Sequence, residues 1–116
     1  MEHNKLFSMP FSTIYPLYIA KAQRKGRTQE EVDDIIFWLT GYEKGTLEKA
    51  IAENLSLEKF FHQAPQINPK AKQIKGLICG HRVEEITDPL LQKIRYLDKL
   101  IDQLAKGKSL EKIFPS

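Results

Sequence analysis

Apolar residues at Val32, Ile35, Ile36 and Leu39 follow the i, i+3, i+4, i+7 spacing that places side chains on one helical face. Thr28 and Glu31 stand three apart just before this run, as a capping box requires, and Gly41 follows it as a left-handed stop. The same reading predicts a preceding helix. Ser12 or Thr13 caps it, Pro16 lies in its first turn, where N–H groups lack partners anyway, and it runs to about Lys25 with Gly26 beyond. Thr46 is expected to cap a short helix over Leu47, Ala50 and Ile51. Ser56 is expected to cap another over Leu57, Phe60 and Phe61, ending before Pro65. Asp88-Pro89 opens the longest helix, with Leu90, Ile94, Leu97, Ile101 and Leu104 on one face, Leu91 and Leu100 widening the stripe, and Gly107 past its end. A stripe this short falls below the roughly three to four heptads of a coiled coil, so it reads as a core helix. Ser109 starts a last turn that ends near Phe114.

No long alternation of apolar and polar residues appears. The pattern implies a mainly α fold, a small orthogonal bundle of about five to six helices in one domain over residues 1–116. The exception is residues 68–86. Asn68-Pro69 resembles a helix start, and Ile74 and Ile78 stand four apart, which favours helix. Gly76 and Gly80 each weaken a helix by about 1 kcal/mol against alanine, and a short extended segment near residues 74–83 is the alternative.

That choice matters for chemistry, because this stretch reads ICGHRVEEITDP and holds the only cysteine. In a strand Cys79 and His81 share a face, whereas on a helix they lie about 200° apart. Cys79, His81, Arg82, Glu84 and Glu85 are therefore the candidate functional residues. A structural zinc site needs four ligands, and His3 and His62 stand in no ligand spacing, so no metal and no cofactor is expected. The apolar neighbours Leu77 and Ile78 suggest a packed, inert thiol. Arg82 with Glu85 is a candidate i, i+3 ion pair, and Gly80 is expected at positive φ, as the residue closing a helix.

Composition narrows the class. A chain that is 41% hydrophobic and 28% charged has the balance of a soluble globular protein. No apolar run nears the roughly 18 residues of a spanning helix, MEHNKLFSMP lacks an apolar signal core, and one cysteine forms no internal disulfide; a cytoplasmic location without membrane is the expectation. The net charge of +3 is unevenly spread. Residues 1–28 hold five bases and one acid, 29–64 three bases and eight acids, 65–82 four bases and no acid, and 83–116 six of each. A polyanion should therefore meet segments 21–27 and 70–82, through Lys21, Arg24, Lys25 and Arg27 together with Lys70, Lys72, Lys75 and Arg82. Tyr15, Tyr18 and Phe11 near the first cluster could stack on bases, but their helical spacing favours the core. The second and third helices with a six-residue link loosely resemble a helix-turn-helix. The second of the pair exposes Glu48, Lys49 and Glu53 in the acidic segment, which argues against it. Phe37, Trp38 and Tyr42 form a candidate aromatic contact patch.

The stretches FSMPFSTIYPLYIAKAQRKGR, IIFWLTGY, FFHQAP and ICGHRVEEITDPLLQKIRYLDKLIDQLAKGK together resemble the bacterial family catalogued as domain of unknown function 2200. The CG-x-R-V-E-E-I block is the most specific of them. The resemblance implies a small helical domain and no assigned activity. In that family the position of His81 is often apolar, which weighs against a Cys–His site. The expected function is a non-catalytic binding or protein-interaction module, with a protein as first partner and a monomer or weak homodimer as its state. The alternative is a nucleic-acid or phosphate-ligand binder using segments 21–27 and 70–82. The third is an enzyme using Cys79, Glu84 or Glu85, for which no phosphate loop, HExxH or nucleophile elbow is present.

Overall fold

A computed structural model describes residues 4–115. Seven α-helices are found among them: α1 Asn4–Phe7, α2 Phe11–Gln23, α3 Gln29–Thr40, α4 Lys44–Ala52, α5 Leu57–His62, α6 Pro89–Ala105 and α7 Leu110–Ile113. Two short 3₁₀ turns, Pro69–Gln73 and Val83–Glu85, flank a two-stranded hairpin of β1 Leu77–Ile78 and β2 His81–Arg82. The fold is mainly α, as expected, with α6 packed against α2, α3, α5 and α7.

Several starts and stops form where the sequence placed them. Thr28 Oγ1 accepts from Glu31 N while Glu31 Oε1 accepts from Thr28 N, and Gly41 takes φ 76°. Ser56 Oγ accepts from Lys59 N, and Asp88 Oδ1 accepts from Leu90 N and Leu91 N. Two starts differ. Helix α2 begins at Phe11, because Phe11 N donates to Leu55 O and Pro10 bridges to Ser56, so a tertiary contact stands in for a hydroxyl cap. Helix α4 begins at Lys44. Thr46 lies inside its first turn, its hydroxyl accepting from Glu43 N. The link from α3 is therefore residues 41–43, shorter than the sequence suggests, although Glu48, Lys49 and Glu53 are exposed as expected.

Phe11, Val32, Ile35, Ile36, Leu39, Phe60, Leu100 and Leu104 are fully buried at the centre of one hydrophobic cluster. Burying an aliphatic or aromatic side chain contributes about 1.5–3 kcal/mol, so this cluster dominates stability. Phe60 stacks on Phe11 at 3.9 Å and on Tyr42 at 4.5 Å, joining α5 to α2 and to the α3–α4 link. Tyr42 Oη donates to Phe60 O, which satisfies the one polar atom of that stack.

Asn68-Pro69 does start a helical turn, a 3₁₀ one with Asn68 Oδ1 accepting from Lys70 N, but residues 77–82 take the extended alternative and not the favoured helix. Cys79 and Gly80 take φ 52° and 82°, and Leu77 pairs with Arg82 and Ile78 with His81. A two-residue loop with both φ positive is the type I′ turn, whose twist matches that of the flanking strands. Gly80 has the positive φ expected of it, but at a hairpin tip and not at a helix end. The hairpin is tied down by Val83 N donating to Gly76 O, Lys99 Nζ to Leu77 O and Gln92 Nε2 to Val83 O.

Candidate functional site

The hairpin makes the first candidate surface. A groove of about 480 Å³ runs between its tip and α6, floored by Ile78, Ile86 and Leu91 and edged by Cys79, His81, Arg82, Glu85 and Arg95. Cys79 and His81 both line this groove, but the turn at Cys79-Gly80 brings them there, and not the one extended strand that the strand reading required. Cys79 itself is exposed, not packed. Its apolar neighbours misled, since Leu77 is 62% exposed and the turn lifts the thiol to the tip.

The two carboxylates have separate surroundings. Glu84 Oε1 accepts from Gly76 N at 3.0 Å, and its other oxygen lies 3.6 Å from Arg82 Nε. Those partners, the Gly76 N–H first, hold the Glu84 carboxyl below its ordinary range. Arg82 therefore pairs with Glu84 and not with Glu85. A carboxylate kept ionised in a structural hydrogen bond is poorly placed for proton transfer. Arg95, which the sequence reading missed, donates from Nη1 to Asp98 Oδ2.

The second surface is basic, and it assembles differently from expectation. Lys21 is drawn to Asp102 at 3.2 Å, with Lys106 on the other oxygen of the same carboxylate. Burial alone would raise the Asp102 carboxyl, but the two ammonium groups outweigh it and hold it low. Arg27 is likewise turned inward. It binds Glu31 through Nε and Nη2 and donates from Nη1 to Leu104 O and Lys108 O. Lys21 and Arg27 thus clamp α2 and the α2–α3 turn to the end of α6, leaving Arg24 and Lys25 exposed.

From the other segment, Lys75 shares a recess of about 580 Å³ with Lys108, Lys112, Gln73 and Gln103, where Glu111 is the single acid. Lys72 meets Lys93 at a smaller recess nearer the start of α6, and Lys70 is exposed beside it. The two basic segments therefore converge at Lys108, whose carbonyl Arg27 holds and whose side chain lines the recess of Lys75. Lys93, Lys108 and Lys112 escaped the sequence reading because acids balance them along the chain, and only the fold separates the signs.

The aromatic patch does not form as one surface. Tyr42 is 6% exposed, and Trp38 lies half-buried under Phe114, the rings 4.9 Å apart and 7° from parallel. Phe37 packs against the core. Tyr18 is buried against α6 and Phe11 is fully buried, as their spacing indicated. Tyr15 donates to Asp33 and, with burial acting first and the carboxylate second, is pushed up to about 12.

Among the described residues no helix is long and apolar enough to cross a membrane, and no group of three or more His, Cys, Asp or Glu could hold a metal ion. His3 lies outside the described residues. A comparison with curated proteins finds no match. Among solved structures, the chain is similar to one titled "Crystal structure of uncharacterized protein SP1917", at 46% identity and a TM-score of 0.89, over 94% of this chain and 89% of that one. Residues 5–115 match the family model described as "Uncharacterized protein conserved in bacteria (DUF2200)". With nearly its whole length matched, the chain belongs to that bacterial family.

Proposed function

We propose that the protein is a non-catalytic binding module whose ligand is the phosphate backbone of duplex nucleic acid, held on the lysine-rich face around Lys108. The observation that carries this reading is the convergence of Lys75, Lys108 and Lys112 on one recess, with Arg24 and Lys25 exposed at the neighbouring end of α2. Ammonium groups from separate chain segments gathered on one face match a polyanion, because each phosphate neutralised releases counterions. Gln73 and Gln103 supply the uncharged donors that backbone contacts also use. Single strands fit less well. They call for exposed rings to stack on, and here Phe114 is covered by Trp38 while Tyr96 is buried. The acidic segment 29–64 would repel the same ligand and so fix which face meets it. A protein partner, the first expectation, would need a surface other than the aromatic patch, since Tyr42 is buried.

The test is fluorescence anisotropy with a labelled mixed-sequence duplex of about 16 base pairs. About four phosphate contacts should weaken binding roughly hundredfold between about 50 and 200 mM salt. Joint reversal of Lys75, Lys108 and Lys112 to Glu should reduce affinity at least about thirtyfold and flatten the salt slope by about three. Absent binding at low salt would remove the reading. So would equal affinity of the folded triple variant, or equally tight binding of polyglutamate.

A further inference from the structure

The smaller recess by the start of α6 has a chemistry of its own. Its walls are Ile67, Pro69, Ala71, Pro89 and the ring of Tyr96, and its volume is about 260 Å³. Lys72 and Lys93 also line it, and no carboxylate does. Tyr96 is 6% exposed, yet among the described residues its hydroxyl has no hydrogen-bond partner. No buried side-chain polar atom of the described residues lacks a partner, so this unpaired hydroxyl is open to solvent and free to donate to a ligand. The other tyrosines of this fold spend their hydroxyls on protein partners: Tyr15 bonds Asp33, Tyr18 bonds Asp98 and Tyr42 bonds Phe60 O.

The recess also opens at the first turn of a 17-residue helix, whose N-terminal end favours negative charge. The N-cap carboxylate of Asp88 lies on the other side, where it accepts from Leu90 N and Leu91 N and lines the hairpin groove. An apolar slot with two ammonium groups, one unused hydroxyl donor and no lining acid specifies its occupant. We infer that this recess binds a small carboxylate with a compact apolar body, the body between Pro69, Pro89 and Tyr96 and the head toward Lys72, Lys93 and the Tyr96 hydroxyl. The volume lies just below the roughly 300–1,000 Å³ of drug-sized pockets, so the ligand is a small metabolite-sized acid and not a peptide or a nucleotide. The inference does not rest on duplex binding, which is read through Lys75, Lys108 and Lys112.

Titration of the full chain with benzoate, followed by amide chemical shifts, tests it. Saturable shifts are expected at residues 67–72 and 89–96, with a dissociation constant of about 1 mM or tighter, within reach of a ligand this small. Benzyl alcohol, which keeps the ring but loses the charge, should bind at least about tenfold more weakly. Lys93→Gln and Tyr96→Phe should each weaken benzoate about three- to tenfold. Tyr96→Phe should leave the melting temperature unchanged, because the hydroxyl it deletes is unpaired and open to solvent. Absent saturation would overturn the inference, as would equal binding of benzyl alcohol, shifts centred elsewhere, or full affinity in Tyr96→Phe.

Discussion

The hydroxyl of Tyr18 donates to Asp98 Oδ1 at 2.5 Å, while Arg95 holds the other oxygen of the same carboxylate at 2.7 Å. One acid on α6 thus receives a phenol from α2 and a guanidinium from its own helix. Tyr18 is 9% exposed, and burial first, then the Asp98 charge, raises its phenol well above the ordinary value. A phenol whose folded pKa exceeds its unfolded one contributes stability that is complete below about pH 10 and declines as pH rises toward the folded value. Tyr15, pushed up to about 12, acts in the same direction. Denaturant midpoints should therefore fall steeply between about pH 10 and 12. Tyr18→Phe should cost about 1–2 kcal/mol at pH 7 and make that alkaline fall shallower. An unchanged alkaline slope in the variant would show that Tyr18 is not among the groups responsible.

The hairpin tip predicts two substitutions of opposite sign. Gly80 sits at φ 82° with open space where a Cβ would be, so Gly80→Ala should destabilise by about 1 kcal/mol through backbone strain alone. Cys79 sits at φ 52°, the position that type I′ turns fill with Asn. Cys79→Asn should stabilise by a few tenths of a kcal/mol or more, since Asn tolerates the left-handed region best among side-chain-bearing residues. Urea curves of both variants decide this. A thiol reagent should also react with native Cys79 about as fast as with the unfolded chain, because the thiol is exposed. Strong native protection would mean that the tip folds over.

Much of this fold is legible in sequence, because helix periodicity and caps are local signals. Thr28 with Glu31, Ser56 and Asp88-Pro89 each act within four residues of themselves. What escaped was non-local. The start of α2 depends on Phe11 N reaching Leu55 O, and the hairpin over 77–82 is too short to show alternation. Cys-Gly is also a weaker turn signal than Asn-Gly. The candidate sites were half legible for the same reason. Lys72 and Lys75 were visible in an acid-free segment, whereas Lys93 joins the first and Lys108 the second only through the fold, and the unpaired hydroxyl of Tyr96 has no sequence signature at all.

Gly41 combines a backbone and a packing constraint. It closes α3 at φ 76°, and a Cβ there would lie 3.2 Å from Gln66 N and 3.3 Å from the Pro65 side chain. Gly41→Ala should therefore cost more than Gly80→Ala, about 2 kcal/mol against about 1, since the 65–66 backbone must also shift. Equal midpoints for the two variants would show that this loop yields without resistance.

Trp38 makes the C-terminal turn observable. It is the only tryptophan, and Phe114 stacks on it at 4.9 Å, so its emission reports whether residues 110–114 are docked. The turn is short, with Ser109 capping Lys112 N and Ile113 as its buried anchor. A four-residue helix has little stability of its own, so the stacked pair and Ile113 must hold it. Phe114→Ala removes the ring contact and leaves the Trp38 face to water, with an expected loss of about 1–3 kcal/mol and a shift of emission to longer wavelength. Phe114→Leu keeps an apolar cover without the stacked geometry. It should recover most of the emission shift but fall short in stability by about 0.5–1.5 kcal/mol, the usual contribution of an aromatic pair beyond its area. If Phe114→Ala leaves the emission of the folded protein unchanged, then the ring does not shield Trp38 in solution. The aromatic surface of Phe37 and Trp38 would then be open to a partner after all.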